Sequence, residues 1–157
     1  MDLLPVILTI ITASTPLLLA ATGELITEKS GVLNLGVEGM MLIGAIAAFA
    51  TAVSTGSALL AILAGAFSGA LVASIFAVLT LIFLANQVAT GLALTIFGVG
   101  LSALIGSNFV GVALEPLPKL NVDGLSTIPI LGKILFNHDV LVYLSFGMIF
   151  VTIYYIK

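Results

Sequence analysis

From Gly39 to Leu114 the chain contains no Asp, Glu, Lys, Arg or His. Soluble domains carry about a quarter of their residues as charges, so a run of this length has no place in water. It is long enough for about three membrane spans of roughly 20 residues each. The composition agrees: hydrophobic residues make up 61% of the chain and charged ones 7%, with a mean hydropathy of +1.37. The apolar runs are rich in Leu, Ala, Ile and Gly and lack the alternation of lipid-facing barrel strands. Helices must therefore satisfy the backbone in lipid. The expected fold is all-α, a polytopic transmembrane protein forming one transmembrane domain over residues 1–157.

Apolar runs at 3–22, 40–55, 58–84, about 88–107 and about 140–156 mark five spans. Pro16 removes a backbone donor from the first, where a kink or break is expected. That run reads as a transmembrane helix rather than as a cleaved secretory signal, because Asp2 stands where a positive n-region belongs. In the third run Ser57, Ala61, Gly65, Gly69, Ala73 and Ala77 recur at every fourth residue, on one helix face. Small residues so spaced let another backbone approach closely, at a seam within the chain or at a dimer contact. The intrachain seam is the commoner use in polytopic proteins.

Two polar islands interrupt the hydrocarbon. "GELITEKSGVLNLGVEGM", residues 23–40, holds Glu24, Glu28, Lys29 and Glu38, and its Ser30, Gly31, Asn34, Gly36 and Gly39 disfavour a continuous helix. A broken or re-entrant segment near 23–39 fits better. Glu24, Glu28 and Lys29 suit a solvated loop, whereas Asn34 and Glu38 lie among apolar neighbours and call for a cavity or a partner. "LANQVATGLALT" places Asn86, Gln87, Thr90 and Gly91 at a second expected break, near 85–91. Amides and hydroxyls that both donate and accept suit a polar, uncharged solute, and they equally suit a tight interhelical turn.

Several functions are excluded or disfavoured by what the sequence holds. The net charge is −3 with no Arg, so neither nucleic-acid binding nor a polybasic lipid-surface anchor is supported. Cysteine is absent. The one Gly-Lys pair, Gly132 and Lys133, is followed by Ile134 and is not a phosphate-cradling loop. No metal-ligating constellation stands out.

The runs "TPLLLAATGELITEKSGVLNLGVEGMMLIGA", "NQVATGLALTIFGVGLSALIG" and "IPILGKILFNHDVLVYLSF" resemble the membrane subunit of ATP-binding cassette importers for nucleosides and simple sugars. The nearest branch is the one served by basic-membrane-lipoprotein-type binding proteins. The resemblance implies a permease that works by alternating access beside a second permease subunit. It also implies cytoplasmic ATPases that bind ATP and Mg, and an extracytoplasmic lipoprotein that delivers solute. In sugar-permease relatives the segment matching "VLNLGVEG" carries Asp-Leu-Ser-Val-Gly on a discontinuous helix beside the pathway. Asn34 stands where that Asp would be, and Glu38 lies in the matching Gly-flanked turn. The residues expected along the pathway are Asn34, Glu38, Asn86, Gln87 and Thr90, and those expected in helix packing are Ala61, Gly65, Gly69 and Ala73.

Permeases of this family are longer, which makes the expected counterpart of this chain the N-terminal half, with the ATPase-coupling loop and later helices beyond Lys157. Counting lysines does not orient it: Lys29 and Lys157 fall on one side, Lys119 and Lys133 on the other. The resemblance implies an outside N-terminus and a cytoplasmic Lys157 in the bacterial inner membrane. Residues 108–139 then form an extracytoplasmic loop in which Pro116, Pro118 and Pro129 limit regular helix. "STIPILGKILFNHD" is amphipathic enough to lie at the interface and to touch the binding protein. His138, beside Asp139, reads as a helix-start or headgroup residue rather than a proton relay. Two other classes fit the residues alone. One is the membrane-embedded solute-binding subunit of a vitamin importer; the other is half of an ion-coupled secondary transporter, whose sign would be paired broken helices in inverted repeats.

Overall fold

The computed structural model describes residues 3–121 and 136–157. Five helices account for most of them: α1 Leu3–Lys29, α2 Val37–Thr55, α3 Ala58–Ala77, α4 Gln87–Gly106 and α5 Val140–Ile156. A π-helical turn, Val78–Ile82, extends α3, and a 3-10 turn, Ser107–Phe109, extends α4. Among the described residues four helices are long and apolar enough to cross a membrane. The 17 residues of α5 form a shorter apolar helix, about 25 Å long at 1.5 Å per residue, against a hydrocarbon core of about 30 Å. The chain is an all-α polytopic membrane protein.

The chain divides into two compact units, Met1–Lys29 with Pro116–Lys157, and Ser30–Glu115. In the first, α1 packs on α5. Their buried positions are Thr15 and Thr22 on α1, and Val142, Ser145 and Thr152 on α5. Each buried hydroxyl donates to a carbonyl of its own helix: Thr15 to Ile11, Thr22 to Leu19, Ser145 to Val142 and Thr152 to Met148. Polar atoms are thus satisfied locally and the side chains remain small enough for close packing. Of the kink or break expected at Pro16, a break does not occur, and α1 continues through it as one helix. Proline costs this helix one donor, and the long apolar stretches on either side continue the ladder. The charged end of the helix, Glu24 to Lys29, is its last two turns. Lys119–Asn121 and Asn137–Asp139 pair as a short antiparallel ribbon, with Lys119 opposite Asp139. Asp139 also caps α5, its Oδ1 accepting from Val142 N at 3.1 Å. His138, buried, precedes that cap. Most of "STIPILGKILFNHD" lies outside the described residues.

In the second unit, α2 and α3 form a hairpin through Thr55, Gly56 and Ser57. Gly56 takes φ 66° and its N–H reaches Ala52 O, a left-handed helix end that glycine adopts without Cβ strain. Ser57 caps α3 by accepting from Leu60 N. The two helices meet where Gly44 faces Gly65: a Cβ on Gly65 would lie 3.0 Å from Gly44 O and 3.1 Å from Ala48 Cβ. Along the same face Ala61 is buried, Gly69 approaches Met40 O, and Ala73 packs on the core cluster. The expected packing stripe therefore lies against α2 within the chain.

Helix α4 lies along the other side of α2, glycine against glycine. A Cβ on Gly98 would lie 2.5 Å from Gly39 Cα, and one on Gly39 would lie 2.7 Å from Thr95 Cα. Met40, Ile43, Val72, Phe76 and Leu94 fill the core between the three helices. Phe49 and Phe109 meet edge to face at 5.9 Å. Gly98→Ala is expected to force α2 and α4 apart and destabilise the unit by about 1–3 kcal/mol, as overpacking does. Gly100, which has nothing within 4 Å of its Cβ position, is the control: Gly100→Ala should be neutral or stabilising by about 0.5–1 kcal/mol. Thermal unfolding of the two variants in detergent checks the contrast.

Candidate functional site

The helix ends at Lys29 and resumes at Val37, so the first break is 30–36, narrower than the 23–39 foreseen. Its turn is made at Gly31, with φ 83°. The second break is the link 83–86, and Gln87, Thr90 and Gly91 already belong to α4. Ahead of that link the π turn bonds Phe83 N to Val78 O, and Leu84 takes φ 53°, a left-handed conformation unusual for a bulky residue. Both breaks fall in the Ser30–Glu115 unit.

The first break is laid on the opening turns of α4. Gly91 makes the contact possible: a Cβ there would sit 2.9 Å from the amide nitrogens of Leu35 and Gly36. One turn to one side, Gln87 Oε1 accepts from Leu33 N at 2.8 Å. One turn to the other, Thr95 Oγ1 donates to Leu35 O at 2.8 Å. Asn34 is 8% exposed, and its Oδ1 accepts from Gly36 N at 3.0 Å while its Nδ2 approaches Met40 Sδ at 3.6 Å. Gly36 O then accepts from Met40 N at 3.0 Å and starts α2. Non-helical backbone in a bilayer needs partners of this kind, because lipid supplies none.

The expected pathway residues thus take different places. Asn34 and Gln87 are brought together around the break. Asn86 caps α4, its Oδ1 accepting from Ala89 N at 3.0 Å, and its side chain is exposed. Thr90 is half-buried in the first turns of α4, and Glu38 is exposed on the first turn of α2. Sequence reasoning did not single out Thr95. The signal was present as a stripe on α4, Gln87, Gly91, Thr95 and Gly98, where a polar side chain flanks each small residue on one face. Among the described residues no group of three or more His, Cys, Asp or Glu could hold a metal ion.

Non-helical backbone beside a helix, held by that helix's amide and hydroxyl side chains, is the kind of element that membrane transporters place where irregular backbone lines a cavity. The family model for the permease component of branched-chain amino acid transport systems matches residues 6–155, and this chain belongs to that family. It is 42% identical over 123 residues to a putative glucose ABC transporter permease protein of Haloferax volcanii, covering 78% of this chain and 36% of that protein. Identity to a guanosine ABC transporter permease protein of Bacillus subtilis is 34% over 152 residues, 87% of this chain and 48% of the relative. Identity to a nucleoside ABC transporter permease protein of Lactococcus lactis is 33% over 134 residues, 79% of this chain and 42% of the relative. The chain spans less than half the length of these relatives. No solved structure matches it.

Removing the acceptor in Gln87→Ala deprives the Leu33 amide of its partner in the protein, at a cost of about 0.5–1.5 kcal/mol for one lost hydrogen bond. Thr95→Val keeps the shape and removes the donor to Leu35 O. Both variants are expected to speed hydrogen exchange of the amides of residues 33–36, while exchange in the α2–α3 hairpin around Gly56 stays as in the parent.

Proposed function

We propose that this chain supplies the membrane pathway of an ATP-binding cassette importer for nucleosides or simple sugars. The supporting observation is the family match joined to relatives whose names specify guanosine, nucleosides and glucose. A second permease subunit completes the pathway, cytoplasmic ATPases bind ATP and Mg and drive it, and an extracytoplasmic solute-binding lipoprotein delivers the solute. The N-terminus lies outside and Lys157 faces the cytoplasm.

The route runs beside the break at 30–36. Glu38, Asn86 and Thr90 border it, and Asn34 and Gln87 hold the segment that shapes it. Alternating access needs bodies that move without losing their internal hydrogen bonds, and the ladder of Gln87, Gly91 and Thr95 keeps the break attached to α4 during such a movement. Tight binding within the membrane is unnecessary, because a delivering protein concentrates the solute and tight binding slows its release.

The two rival classes differ in what drives uptake. In cells expressing the complete transporter, uptake of guanosine or glucose is expected to stop when the ATPase subunit carries an inactivating substitution, and to persist when an uncoupler collapses the ion gradient while ATP is maintained. The opposite pattern would mean a secondary transporter. Submicromolar solute binding by the purified chain alone would mean a vitamin-type binding subunit. With the importer established, Asn34→Ala is expected to lower uptake about tenfold, the equivalent of losing one buried hydrogen bond of about 1.4 kcal/mol. Glu38→Gln should change uptake without changing the amount of protein in the membrane.

A further inference from the structure

We infer that Leu33 and Leu35, together with Glu38, are the side chains that the break presents to the solute, and that Asn34 is a positioning residue that holds them in place. The inference rests on the permease reading above and deepens it.

Burial alternates along the segment. Val32 packs against the core cluster, Leu33 is 41% exposed, Asn34 is 8% exposed, Leu35 is 40% exposed and Gly36 is buried. Two backbone groups of the segment are committed to α4, Leu33 N to Gln87 and Leu35 O to Thr95, and Gly36 N is taken by Asn34 within the segment. With these fixed, the leucine side chains are what the segment offers outward. A linker lying in water would need no such anchoring, because solvent would satisfy its amides.

Leucines alone would suit lipid tails equally well. Glu38 decides against that. It stands three residues past Leu35 on the first turn of α2, it is exposed, and its carboxylate has no hydrogen-bond or ion-pair partner among the described residues. A carboxylate facing hydrocarbon is costly, and ionisable groups at membrane depth face a cavity or a partner. The surface bearing Leu33, Leu35 and Glu38 therefore meets an aqueous route. Two leucines bordered by a carboxylate suit a neutral solute with an apolar ring face and hydroxyl or amine donors, the chemistry shared by nucleosides and sugars. Asn34 acts through the backbone: its carboxamide closes the turn at Gly36 and so sets the direction of both leucines.

These 157 residues hold no cysteine, so a single cysteine introduced among them has no competing thiol in this segment, and the parent importer treated alike supplies the background rate. In the assembled importer in membranes, Leu33→Cys, Leu35→Cys and Glu38→Cys are expected to react with a membrane-impermeant maleimide about tenfold or more faster than Val32→Cys and Asn34→Cys, because addition needs a water-exposed thiolate. The rates at 33 and 35 are further expected to change severalfold between the nucleotide-free and ATP-trapped importer, as a surface on an alternating route must. Reaction at 34 as fast as at 33 and 35 would overturn the inference. So would reaction of 33 and 35 with membrane-permeant reagent alone, or rates unaffected by nucleotide. Should Asn34→Cys fail to accumulate, Val32→Cys supplies the inward comparison. Uptake measured on the same membranes separates the two levels. Absence of ATP-driven uptake of guanosine or glucose in the parent defeats the permease reading, whereas lost alternation with uptake intact defeats the side-chain assignment alone.

Discussion

A bilayer offers no hydrogen bonds, and the Ser30–Glu115 unit is arranged around that fact. Once the helix stops at Lys29, the amides and carbonyls up to Val37 need partners from the protein. Those of Leu33, Leu35 and Gly36 obtain them in a fixed order of dependence. Gly91 and Gly36 first allow two backbones to approach. At that separation Gln87 and Thr95, one turn above and below Gly91, reach Leu33 and Leu35. A larger residue at 91 would move the segment away and leave both side chains short of their targets, so the glycine contact precedes the hydrogen bonds in the logic of the site.

The same solvent inverts the usual rule of burial. Large apolar side chains such as Ile96, Phe97, Leu104 and Phe150 point outward, while Gly39, Gly91, Gly98, Asn34, Thr80 and Ser145 are buried. Leucine gains nothing by leaving lipid for protein, so helices associate through close backbone packing and dispersion. The two units reach this by different means. The Ser30–Glu115 unit uses glycines, at Gly44 with Gly65 and Gly39 with Gly98. The other unit uses hydroxyl residues, Thr15 and Thr22 on α1 with Ser145 and Thr152 on α5, each silenced by a bond to its own helix. Hydroxyls cost more width than glycine but keep helix propensity higher.

Span positions and both breaks were legible in the sequence, because polarity against hydrocarbon is a local signal and needs no knowledge of the fold. The small-residue stripe from Ala61 to Ala73 was legible as a packing face, but the identity of its partner was not, since α2 carries its matching glycine at one position, Gly44. Pro16 does not break its helix: one missing donor does not stop a helix with apolar turns on both sides. Thr95 was overlooked because a threonine inside an apolar helix ordinarily bonds back to its own carbonyl ladder, as Thr51 does with Ala47. Its hydroxyl turns to Leu35, 60 residues away in sequence, and that long-range pairing exists only in three dimensions. Asn34 was legible as special from its polarity among apolar neighbours, and its contact with the turn at Gly36, formed when it is buried, was not.

The distribution of strain follows from these attachments. Helix α4 is bound to α2 through glycine contacts and through the segment preceding α2, yet in sequence it follows α3. The connection to α3 is the one place in the unit where the helix widens to π geometry and a bulky residue, Leu84, takes a positive φ. A left-handed leucine costs about 1–2 kcal/mol, and its side chain, 82% exposed, has no buried packing to offset that cost. Such strain persists when surrounding contacts over-determine it, and here they do so from the α2 side: the seam fixes where α4 lies, and the link conforms.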